Sequence, residues 1–352
     1  MSDATRKGTG RAQPSMSDVA KLAGVAIGTV SNTLNSPEKV TEATRRRVMA
    51  AIAELGFVRN DAARSLAAGT STTVGLVVAD LGNSFFVDIA RGAEATVRQH
   101  GMNLLIANSD VDLAKQSNNL AVFEQARVAG VLLAPLDTPF VEVSARLTSN
   151  TPLVLVNYES RRKLYSGVVV DERRGGFLAA RHVLDLGRRR LLFVGGPLSL
   201  RAVAERYEGA QRAVADVADA TLDLVETHGQ NIRHGKQAAR ELVARSNPIA
   251  IDGIVAASDL LAIGVIQVFD ELADFDVPGD VAIVGYDNNH FASESNVPVS
   301  TVSQPGEEMG RLAAELLCEE IAGTAARDKQ TVVLQPHLLP RRSSLGDAWR
   351  RD

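Results

Sequence analysis

The chain has 352 residues, 45% hydrophobic and 23% charged, with a formal net charge of -4; this is ordinary soluble composition, too long for one core, so two or more domains are expected. No run of about 18 uninterrupted apolar residues occurs, and the N-terminal MSDATRKGTGRAQPS lacks the apolar stretch of an export signal, so a cytoplasmic protein with no membrane span is expected. The single cysteine, Cys318, excludes an internal disulfide, and six scattered histidines without cysteine partners give no zinc pattern, so neither metal nor cofactor is implied.

Charge is unevenly placed. Residues 1–70 hold 10 Lys/Arg against 6 Asp/Glu, a balance of +4, and the remainder holds 28 against 36, a balance of -8. That suits a polyanion-binding head on an acidic body, although a surplus of this size also occurs on indifferent surfaces.

In chain order, residues 1–15 are polar and glycine-bearing and are expected to be a disordered tail. Ser17 is expected to cap a first helix through Ala23, which Gly24 ends. A second helix is predicted from about Ile27 to Leu34, and the intervening Gly24, Val25 and Ala26 force a steep crossing, as in a helix-turn-helix. After Asn35, Ser36 and Pro37, Thr41 offers a new cap for a third helix with the apolar stripe Val48, Ile52 and Leu55, stopped by Gly56. The segment DAARSLAAGTSTT reads as a weak helix within a linker.

From Thr73 the pattern alternates strands and helices. Apolar runs at Val74 to Ala79, Leu104 to Ala107, Val131 to Ala134, Leu153 to Val156, Val168 to Val170, Leu191 to Val194, Ile254 to Ala256 and Val281 to Val284 read as strands buried on both faces. Amphipathic segments lie between them, which is the rhythm of doubly wound parallel sheets, here two in tandem. Ligands of such folds bind at the carboxyl ends of strands. Polar residues cluster there: Asn83 with Phe85 and Phe86, Asn108 and Asp110, Asn157, Asp259 and Asp287, with Arg206 opening a helical region.

The segment MSDVAKLAGVAIGTVSNTLNSPEKVTEATRRRVMAAIAELGFVRNDAARSLAAG resembles the LacI/GalR repressor family, and the likeness continues through VGLVVADLGNSFF and VGYDNNHFASESNVPVSTVSQP to the LLPRRSS tail. The resemblance implies an all-α helix-turn-helix head at 16–59 and a hinge helix and linker at 60–72. It also implies an α/β effector and dimerisation body at 73–352, with two doubly wound lobes of the periplasmic-binding-protein-like type I fold. The first lobe would comprise about 73–170 and 303–330, the second about 171–302 and 331–345. The implied function is a transcriptional regulator, a repressor, that binds a palindromic double-stranded operator as a homodimer under control of a small-molecule effector, a sugar or sugar derivative.

By the same resemblance Ile27, Gly28 and Asn32 match base-reading positions, and Thr29, Ser31 and Asn35 match positions that touch the DNA backbone. Ser17, Thr41, Asn60 and Leu66 complete the expected DNA-binding set. Leu66, among alanines, matches a residue inserted into the minor groove, or is a packed linker leucine. Arg45, Arg46 and Arg47 read equally as a phosphate patch or a solvated helix face. Three departures stand out: Ala26 replaces the usual serine cap, worth about 1 kcal/mol; Gly28 has no side chain; and Asn32 replaces the usual arginine, so an amide suited to adenine stands where guanine would be read. In the body Phe85, Arg206, Asp287 and Gln304 match effector-contacting positions, with Asn108, Asp110, Asn157 and Asp259 as further candidates; any one of them could instead be a structural cap or ion pair.

A transporter's solute-binding protein uses the same two-lobed fold but would carry an export signal and no helical head. An enzyme is disfavoured, since no phosphate-binding GxGxxG or GxxxxGK[ST], no GxSxG elbow and no catalytically spaced histidines are present. Whether the effector would act as inducer or as corepressor is not written in these residues.

Overall fold

The computed structural model describes residues 14–57, 71–136, 151–160, 164–244, 251–272 and 275–351. The chain divides into two units, residues 1–70 and 71–352. In the first unit α1 (Met16–Ala23), α2 (Ile27–Asn35) and α3 (Glu42–Leu55) enclose Val19, Ala20, Ala23, Val30, Val48 and Ala51. The cap of α1 is Ser15, not the expected Ser17: the Ser15 hydroxyl accepts from Asp18 N at 3.3 Å and Asp18 Oδ2 accepts from Ser15 N at 2.8 Å, a reciprocal capping box. Ser17 is left exposed in the first turn. Gly24 and Gly56 end their helices with φ of 63° and 61°, the left-handed conformation glycine adopts without strain. Thr41 caps α3, and Ala26 leaves α2 without a side-chain cap.

The second unit contains two six-stranded sheets. Strands β1 (Thr73–Val78), β2 (Asn103–Asn108), β3 (Gly130–Leu133), β4 (Leu153–Val156), β5 (Ser166–Val170) and β11 (Thr331–Leu334) form the first, wholly parallel, in the order β11-β5-β4-β3-β1-β2. Helices α4 (Ser84–Gln99) and α11 (Gly306–Ala322) contribute the core on one face and α5 (Leu113–Gln125) on the other. Strands β6 (Arg190–Val194), β7 (Thr221–Val225), β8 (Gly253–Ala256), β9 (Ala282–Asp287), β10 (Ser300–Ser303) and β12 (His337–Leu339) form the second sheet, in the order β12-β10-β9-β8-β6-β7. Among the described residues of this sheet only the β10–β12 pair is antiparallel. Around it pack α6 (Glu172–Asp185), α7 (Arg201–Ala215), α8 (Ile232–Val243), α9 (Asp259–Leu272), the short α10 (His290–Glu294) and α12 (Arg342–Leu345).

All eight expected strands are present. The expected boundary at 331 is corrected, because β11 pairs with β5 in the first sheet, Val332 opposite Val168, and the chain passes to the second lobe only at residues 335–336. Three connections therefore join the lobes: between β5 and α6, between β10 and α11, and between β11 and β12. The reading of β2 as buried on both faces is also corrected. It is an edge strand, and Leu105 and Ile106 are each 47% exposed.

Close helix packing is set by glycine. Gly92 of α4 and Gly310 of α11 face each other, as do Gly176 of α6 and Gly209 of α7, and Gly235 of α8 and Gly264 of α9. A Cβ on Gly310 would lie 2.0 Å from the carbonyl oxygen of Ile89, and one on Gly92 1.9 Å from that of Glu307, so backbone meets backbone with no space for a methyl group. Gly310→Ala should therefore prise α4 from α11 and lower stability by about 1–3 kcal/mol, the usual cost of overpacking; chemical denaturation of the variant against the wild type checks this.

Candidate functional site

A cavity of about 650 Å³ lies between the lobes of the second unit, at the carboxyl ends of both sheets. Its walls come from the residues following β1, β2, β4 and β9 and from the first turns of α4, α6, α7 and α8. Backbone strain collects at the same strand ends. Asp110 and Val111 after β2, Asn157 after β4, and Asp287 and Asn288 at the end of β9 all have positive φ, from 50° to 103°. For the β-branched Val111, at φ 57°, this is a costly conformation, held by the fold around it.

At the floor is Arg206, 5% exposed. Its Nε and Nη2 donate to the two carboxylate oxygens of Glu172 at 2.8 and 3.0 Å, and Nη1 donates to the Ala257 carbonyl at 2.7 Å. Asp287 Oδ1 lies 3.6 Å from Nη1, and the guanidinium stands 3.8 Å from the centre of the Tyr286 ring. Burial opposes the charge, but Glu172 and Asp287 outweigh it and hold the guanidinium above its ordinary pKa, so Arg206 is a fixed cation. Burial pushes the Asp287 carboxyl up to about 6, against the pull of Arg206 and of the amides of Asn83 and Gln304, which donate to it at 2.6 Å each. The Asn83 contact joins the lobes, and two others support it: Asn289 Nδ2 donates to Asn83 Oδ1 at 3.2 Å, and His290 N donates to Ser84 Oγ at 2.9 Å.

Toward the opening, Arg201 binds Glu205 at 3.0 Å and Glu159 at 3.5 Å and sits over the Tyr158 ring. His234 lines the wall with its Nδ1 buried and unpartnered among the described residues. Burial, then Arg233 and His228, hold this imidazole below the usual histidine range, so it is neutral at pH 7. Among the described residues five carboxylates line the cavity (Asp80, Asp110, Glu172, Glu205 and Asp287) against two guanidinium groups and no lysine.

Of the residues expected at an effector site, Phe85, Asp110, Asn157, Arg206 and Asp287 line the cavity. The other three do not. Asn108 turns its side chain to the loop, where Oδ1 accepts from Leu81 N and Asp110 N, each at 3.3 Å. Gln304 lies behind Asp287. Asp259, fully buried, is turned beneath the end of β9, where Oδ2 accepts from Asn289 N at 2.7 Å; burial and the neighbouring Asp287 raise its pKa well above the usual carboxylate range. Glu172 was missed, although it follows an apolar run by the same rule that found the others. Val111, Tyr158, Arg201 and His234 carry no motif and are recognisable only once folded.

In the first unit, Ile27, Gly28, Asn32 and Asn35 are exposed on one face of α2, opposite Val30 and Thr33, with Thr29 and Ser31 half-buried. Asn35 Nδ2 donates to Ser31 Oγ at 3.1 Å. Thr41 serves its cap, and Arg45 is held by Glu42 at 2.9 Å. Asn60 and Leu66 lie outside the described residues. Among the described residues no group of His, Cys, Asp or Glu is placed to hold a metal, and no helix is long and apolar enough to cross a membrane.

Residues 15–60 match the family described as bacterial regulatory proteins, lacI family, and residues 180–344 match a periplasmic binding protein-like domain. The ribose operon repressor of Escherichia coli strain K12 is 31% identical over 332 residues, covering 94% of this chain and 99% of that protein. A solved transcriptional regulator CelR–cellobiose complex is 30% identical, with a TM-score of 0.68 over 94% of this chain and 100% of that one. The lac repressor dimer bound to operator and the anti-inducer ONPF, 23% identical, shares the fold with a TM-score of 0.79 over 94% and 99% of the two chains. The chain belongs to the LacI family of bacterial regulatory proteins: it is a transcriptional regulator of the repressor type, with a DNA-binding head and a small-molecule effector domain, and not an enzyme.

Proposed function

We propose that the protein works in the cytoplasm as a homodimer that holds a palindromic operator through two heads, and that an uncharged, sugar-like molecule in the interlobe cavity sets the strength of that hold. The head would comprise about 16–59, the linker 60–72, and the effector domain 73–352 with β11 counted in its first lobe. The observation that carries the effector reading is the charge of the cavity. Among the described residues both lining guanidinium groups already face carboxylates, and carboxylates outnumber them five to two, with Asp110 paired to Lys115, so a phosphorylated or carboxylated ligand would find every lining cation already engaged. A polyol fits the same wall. Its hydroxyls can donate to Asp287 and accept from Asn83, while Phe85 and Tyr158 offer apolar faces. The ribose and cellobiose named for the relatives support this class.

A ligand at the cavity floor engages Asp287, which also accepts from Asn83 across the lobes, so filling the cavity biases how the lobes sit on their three connections. A bias shared by effector and operator is reciprocal: whatever the effector does to operator affinity, the operator does equally to effector affinity. The dimer reading rests on β2, an edge strand that exposes Leu105 and Ile106. An apolar edge of this kind needs covering, and a second copy of the chain would cover it.

Titration of neutral mono- and disaccharides into the protein bound to a selected operator should change operator affinity for at least one sugar. Asp287→Asn, which keeps the shape and removes the charged acceptor, should weaken that sugar by about ten- to a hundredfold, measured against the variant's own sugar-free operator affinity; an unaltered response would remove Asp287 from the site. Sugar hydroxyls favour the ionised form of Asp287, whose pKa is about 6. Affinity should accordingly be flat above pH 7 and fall by up to about tenfold per unit below pH 6, measured by calorimetry. Ile106→Lys should convert the dimer to monomer in sedimentation.

A further inference from the structure

The nine residues of α2, IGTVSNTLN, include no charged side chain. Ile27 is 53% exposed, although an isoleucine at a helix start would ordinarily turn toward the core. Asn32 is exposed and its amide has no partner among the described residues, whereas the neighbouring Asn35 is tied to Ser31. Gly28 lies between them on the same face. Every other glycine inside a described α-helix has a heavy atom within 3.0 Å of where its Cβ would stand; Gly28 has nothing within 4 Å, and its φ is not positive. Among the described residues neither packing nor backbone conformation calls for glycine at this position in the first turn of α2. The open face at Gly28 leaves room for a molecule outside the chain.

We propose that α2 reads A·T pairs through an uncharged surface, with the bare backbone at Gly28 seated against the base edges, Asn32 paired to adenine and Ile27 packed on a thymine methyl group. An amide of this kind matches the N6 and N7 edge of adenine, and an apolar side chain matches the methyl group that distinguishes thymine in the major groove. Guanine is best read by arginine or lysine, and α2 has neither. With no Cβ at Gly28 the helix axis can lie closer to the bases, which brings the short Asn32 side chain within reach where a long arginine would otherwise be needed.

This rests on the operator-binding reading above, and the test separates the two. The full-length protein is equilibrated at fixed salt with a randomised duplex pool, and the bound DNA is sequenced for the wild type, Asn32→Ala, Asn32→Arg and Gly28→Ala. The wild type should enrich a site with A·T pairs at the positions that Asn32→Ala blurs, and Asn32→Arg should move the Asn32-dependent position from A·T to G·C. Gly28→Ala should match or exceed the wild type in thermal stability and yet bind the enriched site at least tenfold more weakly. A G·C preference at the Asn32-dependent position, or wild-type affinity in Gly28→Ala, would overturn the proposal while leaving operator binding intact. A wild-type pool without any consensus would overturn the operator reading and this inference together.

Discussion

The buried Arg206 guanidinium is the charge around which the effector domain is arranged. A cation removed from water is tolerated only where carboxylates and carbonyls replace its hydration, and here Glu172, Ala257 and Asp287 do so from three different elements. Glu172 opens the helix that follows the first connection between lobes, and Asp287 ends the strand that hydrogen-bonds across to Asn83. The charge balance of this cluster, the lobe arrangement and the wall of the cavity are therefore one problem with one solution. That coupling gives a ligand at the floor a route to the lobe geometry without contact to any distant element.

Much of this was legible in the chain. Seven inner strands announced themselves because strands covered on both faces are continuous apolar runs, and the edge strand β2 carries such a run although it is exposed. The strands that escaped notice did so for a physical reason. TLDLV, TVVL and HLL are edge or near-edge segments with alternating or short apolar content, and STVS in β10 is polar although buried, because Ser300 and its neighbours bond to Ser343, Ser344 and Arg341. Partners forty residues away leave no local signature.

The candidate site shows the same boundary. The rule that ligands meet strand ends located the correct loops, but position along a strand does not fix the direction of a side chain. Asp259 and Asp287 both follow strands, yet one is folded beneath β9 and the other reaches the cavity. The capping serine was displaced by two residues because Ser15 and Ser17 both suit the role by type. Only the reciprocal bond from Asp18, three residues after Ser15, decides between them.

Departures from local rules gather at two places. In the head they fall on α2, which lacks a side-chain cap, contains Gly28 and Thr29 in its first turn, and depends on Val30 and Thr33 packing inward to remain a helix. In the body they fall at the cavity, where most of the non-glycine positive-φ residues gather beside an Asp whose charge is disfavoured by burial. Elsewhere helix packing agrees with the fold, down to glycines matched in pairs at three helix contacts, although α7, α11 and α12 also lack side-chain caps and Arg127 and Asp219 also have positive φ. A sequence under no constraint but stability would correct such sites by single substitutions, since a cap, a methyl group or a glycine in the left-handed turn would each help. Their persistence at two places, one facing outward on a thin helix and the other lining a cleft, is the physical mark of surfaces shaped for molecules other than the protein itself.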